Sequence, residues 1–276
     1  MTLSERNTFF KIGIVFCAVC TFLILAASFF TMPAYSEMDE VSRRPSNFFH
    51  TLTNLLLENN YFAVHVSLAV LVIFSLIGML LIYHFFERTS APEILYIAIF
   101  TISFSFEVIR LILPLHLIYN FPSVYVRFAS RVLFFARYFG IFSLFAASIC
   151  AVGIDMQKTR NVIFLLIIAT LSVTISVPID VLNWNTSMNM VNGFHSVYRL
   201  IELAVFFTIM TGFFITSNIR DTKEYAYIAI GIMLALAGRN ILLNTDNWIG
   251  PLPGIFLLSF GTWFLCSKLH KIHLWL

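Results

Sequence analysis

Charge is what this sequence has least of. Only 11% of its 276 residues are Asp, Glu, Lys or Arg, where a water-soluble domain of this length carries roughly a quarter. No stretch of polar sequence reaches the roughly 50 residues that a separate soluble domain needs. Lysine is missing from every long apolar run, which excludes a retinal Schiff base on lysine. The H-E-x-x-H, G-x-S-x-G and G-x-x-x-x-G-K-[ST] patterns are absent, so the corresponding zinc, serine-hydrolase and phosphate-cradling chemistries have no signature here. No base and nucleophile pair stands out, and the chain reads as a non-enzyme without cofactor or metal. Cysteine is scarce too. Cys17, Cys20, Cys150 and Cys266 all sit inside apolar runs, where they read as small apolar filler rather than as metal or redox groups.

What is present is hydrophobic length. Apolar residues make up 59% of the chain and the mean hydropathy is +0.89. Apolar runs lie at 12–32, 61–86, 94–119, 129–154, 162–183, 195–216, 225–245 and 252–267. Each approaches the roughly 20 residues that cross a bilayer as a helix. The fold class is therefore all-α: a polytopic membrane helix bundle of about eight spans, one plus seven. The chain divides into a first helix or signal anchor (12–32), an outer loop (33–60), a seven-helix bundle (61–267) and an inner tail (268–276). Within the outer loop, residues 48–57 fit a short interfacial amphipathic helix. The partner implied first is the lipid bilayer, and the net charge of +3 gives no argument for nucleic acid.

Basic residues orient the bundle. With the N-terminus inside, the inner segments hold Arg6, Lys11, Arg88, Lys158, Arg160, Arg220, Lys223, Lys268 and Lys271. The outer segments hold only Arg43, Arg44 and Arg127, and 184–194 and 246–254 have no Lys or Arg. That alternation fits eight spans with both termini inside. A weak internal similarity, RTSAPEILYIAI from Arg88 and RDTKEYAYIAI from Arg220, suggests a parallel four-plus-four repeat.

The remaining charges lie where lipid should refuse them: Glu107 and Arg110 in the third run, Arg131 and Arg137 in the fourth, Asp180 ending the fifth, Arg199 and Glu202 in the sixth, and Arg239 beside Asn240 in the seventh. Each isolated charge at mid-bilayer costs at least about 2.5–3.5 kcal/mol. At 1.5 Å per residue all of them fall within roughly 20 Å of the outer ends of their spans. They predict a polar cavity in the outer half of the bundle. Glu107 with Arg110, and Arg199 with Glu202, are spaced i, i+3 and are expected to pair along one helix face. Five arginines against three acids leave positive charge over, which suits an anionic ligand. Arg110, Arg137 and Arg239 are the candidate ligand contacts, with Glu107, Asp180, Arg199, Glu202 and Asn240 as the supporting polar layer. Pro114 and Pro178 are expected to bend helices beside it. The histidines show no H-x-x-x-H ligand spacing.

Residues 60–267 resemble the membrane part of bacterial seven-transmembrane receptors with diverse intracellular signalling modules. The resemblance is carried by Arg88-Thr89-Ser90 before Tyr96-Ile97-Ala98-Ile99-Phe100, by Phe104-Ser105-Phe106 leading to Arg110, and by Arg220 to Glu224 before Tyr225-Ala226-Tyr227 and Ala235-Leu236-Ala237-Gly238. It implies a sensor in a bacterial inner membrane, working through a signalling partner protein on the inner side, because the family's usual output domain has no counterpart after the last span. A transporter or permease subunit, or a structural subunit of a larger membrane complex, is the alternative.

Overall fold

A computed structural model describes residues 3–40, 59–87, 89, 91–120, 122–153 and 159–274. The proposed interfacial helix at 48–57, and Arg43, Arg44, Arg88 and Lys158 of the charge count, lie outside the described residues. Among the described residues, eight helical segments are long and apolar enough to cross a membrane. In chain order they are α1 (Leu3–Glu40), α2 (Tyr61–Phe86), a composite third span, α5 (Ser123–Val152), α6 (Thr159–Ser176), α7 (His195–Ile219), α8 (Lys223–Asn244) and α9 (Pro251–Leu274). The third span comprises α3 (Glu93–Ser103), a 3₁₀ segment (Phe104–Leu111) and α4 (Ile112–Tyr119).

The third span is the centre of the bundle. Of its most apolar stretch 78% is buried, against 17% for α6 and 22% for α1 and α7. Ile94 to Phe100 are buried without interruption, as a helix surrounded by other helices requires. On the outer helices the exposed side chains are themselves apolar. Phe22 and Phe29 on α1, Leu165 and Ile175 on α6, Leu200 and Phe207 on α7, and Leu252 and Trp263 on α9 are all exposed. A continuous apolar exterior of this kind has lipid as its solvent.

Local sequence accounts for the element ends. On α1 the buried positions Arg6, Phe10, Cys17, Cys20 and Ile24 recur at helical spacing and form one narrow stripe. Both cysteines lie on it as free thiols. Asn60 caps α2 by accepting a hydrogen bond from the Phe62 N–H at 2.8 Å. Pro251 is the first residue of α9, where its missing N–H removes no helix bond. Between α8 and α9 the backbones nearly touch. A Cβ on Gly238 would stand 2.4 Å from Leu258 N, and one on Gly261 would stand 2.5 Å from Ala235 N. Only glycine allows this approach.

Pro114 acts upstream of itself. It offers no N–H to the carbonyl of Arg110, so the regular ladder fails there. The chain takes the tighter 3₁₀ winding over Phe104–Leu111 and remains right-handed helical at both junctions. The seventh span carries no such break, so α3–α4 and α8 differ where a four-plus-four repeat would align Arg110 with Arg239.

Pro178 does more than bend its helix. The run 162–183 was expected to continue as a span, but α6 stops at Ser176, because the residue before a proline is driven out of the α region. The chain then forms an antiparallel hairpin, β1 (Ile179–Trp184) and β2 (Met190–Asn192), with Ile179 opposite Asn192 and Trp184 opposite Met190. Asp180 is thus on a strand, not in a span.

The connections alternate between two ends of the bundle. At one end Arg6 of α1 donates to the carbonyls of Phe86 (2.8 Å), Glu87 (3.3 Å) and Thr89, while Lys268 and Lys271 of α9 pair with Glu224 of α8 at 3.2 and 2.6 Å. At the other end Asn60 N donates to Asp246 O at 2.7 Å, and Thr186 donates to the Asp246 carboxylate at 2.8 Å. The start of α1 and the end of α9 therefore share one end, as an even number of crossings demands.

Candidate functional site

The 3₁₀ segment places Glu107 and Arg110 three residues apart at a winding of three residues per turn, so they point to the same side. Both are almost fully buried, at 1% and 2% exposure. Glu107 is held chiefly by α5. Arg137 Nε donates to Oε1 at 2.7 Å and Arg137 Nη2 to Oε2 at 2.6 Å, a two-pronged pairing of the strong kind. Arg110 stands further off, 3.5 Å from Oε2. The expected Glu107–Arg110 pair is therefore made, but it is the weaker of two.

The hairpin closes over this pair. Arg137 Nη2 also donates to Asn189 Oδ1 at 2.9 Å. Asn189 Nδ2 in turn donates to Leu243 O of α8 at 3.1 Å and to Ser187 Oγ at 3.3 Å. Arg110 Nη2 donates to Ser187 O. Arg239 of α8 approaches Arg137 O at 3.5 Å. Four parts of the fold (the 3₁₀ segment, α5, α8 and the hairpin turn) are tied through the one carboxylate of Glu107 and the amide of Asn189.

Beside this network lies a cavity of about 690 Å³, within the range of small-molecule sites. Its polar wall is built from Arg137 and Tyr138 of α5, His195, Tyr198, Arg199 and Glu202 of α7, Arg239, Asn240 and Asn244 of α8, and Asn185 and Asn189 of the hairpin. Among the described lining residues Glu202 is the one acid, facing three arginines. It acts electrostatically on both Arg137 and Arg239. Arg199 and Glu202 form no ion pair with each other among the described residues, contrary to the i, i+3 expectation. Spacing allows that pair, but both groups are turned to the cavity instead.

Of the predicted ligand contacts, Arg137 and Arg239 line the cavity together with Arg199, Glu202 and Asn240. Arg110 does not. It borders a separate cleft of about 10 Å³ with Ser130, Met188 and Met190, too small for a ligand. Glu107 stands behind Arg137 as its counter-ion. Arg131 leaves the polar layer altogether and donates to Thr174 O and, at 3.0 Å, to Ile175 O, satisfying the last carbonyls of α6. The Asp180 side chain lies outside the described residues. The hairpin's Asn185 and Asn189, and Tyr138 and Tyr198, were not anticipated. The available signal was the run of turn-forming residues from Asn183 to Gly193.

No family model matches the sequence, and no solved structure matches it. An uncharacterized protein of Treponema pallidum (strain Nichols) is 23% identical over an alignment of length 348 that covers the whole of both chains.

Proposed function

We propose that this chain is a receptor-like protein of a bacterial cytoplasmic membrane, with both termini inside, whose cavity faces outward and binds a small anion. One observation carries the reading: a cavity inside a lipid-exposed bundle is lined by Arg137, Arg199 and Arg239 against the single acid Glu202. Arg137 is already matched by Glu107 and Glu202 acts on Arg137 and Arg239, which leaves the three arginines of the wall in excess over its acid. Arg239 is 6% exposed; a cation so buried has lost its water, and an anion that replaces that water gains several kcal/mol of attraction. The resemblance to bacterial seven-transmembrane receptors supports a signalling role exerted through an inner partner protein, without chemistry of its own. The basic residues gathered at the end that holds α1's start and α9's finish support that end as the inner one.

Binding of acetate, succinate and inorganic phosphate to the full chain in nanodiscs tests this. At least one should bind, and Arg239→Gln should weaken it by about 10- to 100-fold, the worth of one charge-assisted hydrogen bond. Binding that is untouched by both Arg239→Gln and Arg199→Gln rejects the site.

The 3₁₀ break in the third span favours a second reading, a transporter, since interrupted helices at a polar layer are a transporter device. Net uptake of labelled succinate or phosphate into proteoliposomes would select it. Binding without flux selects the receptor.

A further inference from the structure

The cavity is not uniform along the bundle. It reaches from His195 to Phe206 on α7 and from Asn244 to Met233 on α8, about 16 Å on each helix at 1.5 Å per residue. On both helices the charged groups lie towards the end that holds the hairpin: Arg199 and Glu202 on α7 and Arg239 on α8, beside the apolar Leu243, Met190 and Val191. Below them the lining turns apolar: Leu203 and Phe206 on α7, Ala237, Leu236 and Met233 on α8, and Ile141 on α5. Counted from His195 and Asn244, the boundary falls about 10 Å along α7 and about 8 Å along α8, just beyond Glu202 and Arg239. Leu203 and Met233, both about half-exposed, line this floor.

We infer that the ligand is an amphiphilic acid: a carboxylate held by Arg239 and Arg199 at the level of Glu202, with a short apolar body directed down onto Phe206, Met233, Leu236 and Ile141. The inference rests on the anion-site reading above and specifies its substrate class. A fully hydrophilic anion such as phosphate would leave the floor either wet or empty. A wet apolar floor forgoes the gain from removing hydrocarbon from water, and an empty one forgoes its contacts. An uncharged apolar ligand would fill the floor but leave the arginines without a counter-charge. An acid with a body of a few methylenes or one ring satisfies both halves. Ala237 lines the floor with a single methyl, and a larger side chain there would take up part of its space.

Acetate, hexanoate and inorganic phosphate titrated against the full chain in nanodiscs test this. Hexanoate is expected to bind at least tenfold more tightly than acetate, with about 200-fold as the limit for full burial of its four extra methylenes. Ala237→Leu should erase that preference while acetate still binds, and Arg239→Gln should weaken both acids by a similar factor. Equal affinity for acetate and hexanoate overturns the amphiphile and leaves the anion site standing. Failure of all three anions to bind overturns the anion site and this inference with it. An acid arriving from water and one already in the bilayer share this chemistry. Palmitate incorporated in the nanodisc lipid displaces hexanoate if the site is reached from the membrane, and leaves it bound if the site is reached from water.

Discussion

Replacing Arg137 by glutamine takes the bidentate partner away from a carboxylate that is 1% exposed. What remains to Glu107 is Arg110 at 3.5 Å, a guanidinium already committed to Ser187 O. Removing one member of a buried ion pair costs about 3–5 kcal/mol, because the other charge is left without compensation in a medium that solvates it poorly. The opposite single change, Glu107→Gln, leaves Arg110, Arg137 and Arg239 grouped without their shared acid and should cost a similar amount. The double variant Glu107→Gln/Arg137→Gln removes both charges and keeps two amides that can hydrogen-bond. It should therefore recover much of the loss, with a coupling energy of about 2–3 kcal/mol. Equilibrium unfolding in mixed micelles measures all four proteins. A cost below about 1 kcal/mol for either single variant is the behaviour of a solvent-exposed pair and would refute the buried carboxylate as the tie between the 3₁₀ segment and α5.

Further outcomes follow from other contacts. Gly238→Val puts a side chain where a Cβ already meets Leu258 N at 2.4 Å; α8 and α9 must part, at a cost of about 1–3 kcal/mol or more, read as a lowered unfolding midpoint. Arg131→Gln removes the cap on α6 and should lower stability by about 1 kcal/mol while anion binding stays as it was, in contrast to Arg239→Gln. Asn189→Ala cuts the links from the hairpin to Arg137 and to Leu243 O and should speed amide exchange in 185–192, measured by hydrogen–deuterium exchange. Thr186→Cys should react with a membrane-impermeant maleimide in intact cells, and Asp221→Cys only after permeabilisation; the reverse pattern would invert the orientation.

The bundle was legible because lipid imposes a coarse rule: a span needs an unbroken apolar run. The second span was read with its bounds, Tyr61–Phe86. The fifth was read too long, since composition cannot register that Pro178 releases the chain from the helix, and the hairpin beyond it is too short and irregular to show a clean alternation. For the site, depth was the useful signal. It brought Arg137, Arg199, Glu202, Arg239 and Asn240 to one cavity, because the cost of a lone charge in hydrocarbon acts on all of them alike. Depth says nothing about direction around a helix. That is why Arg110 and Arg131 were grouped with the others although the fold turns them to Ser187 and to the end of α6. Local spacing misled at Arg199 and Glu202, whose i, i+3 relation permits a pair the cavity does not use.

A thiol on the cavity wall tests the positive pocket most directly. With the four native cysteines replaced, Ala237→Cys is modified by a sulfonate-bearing and by an ammonium-bearing methanethiosulfonate of similar size. Three arginines against one acid should make the anionic reagent faster, by about tenfold or more relative to its rate on a free thiol. A faster cationic reagent, or a thiol that neither reagent reaches, would contradict it.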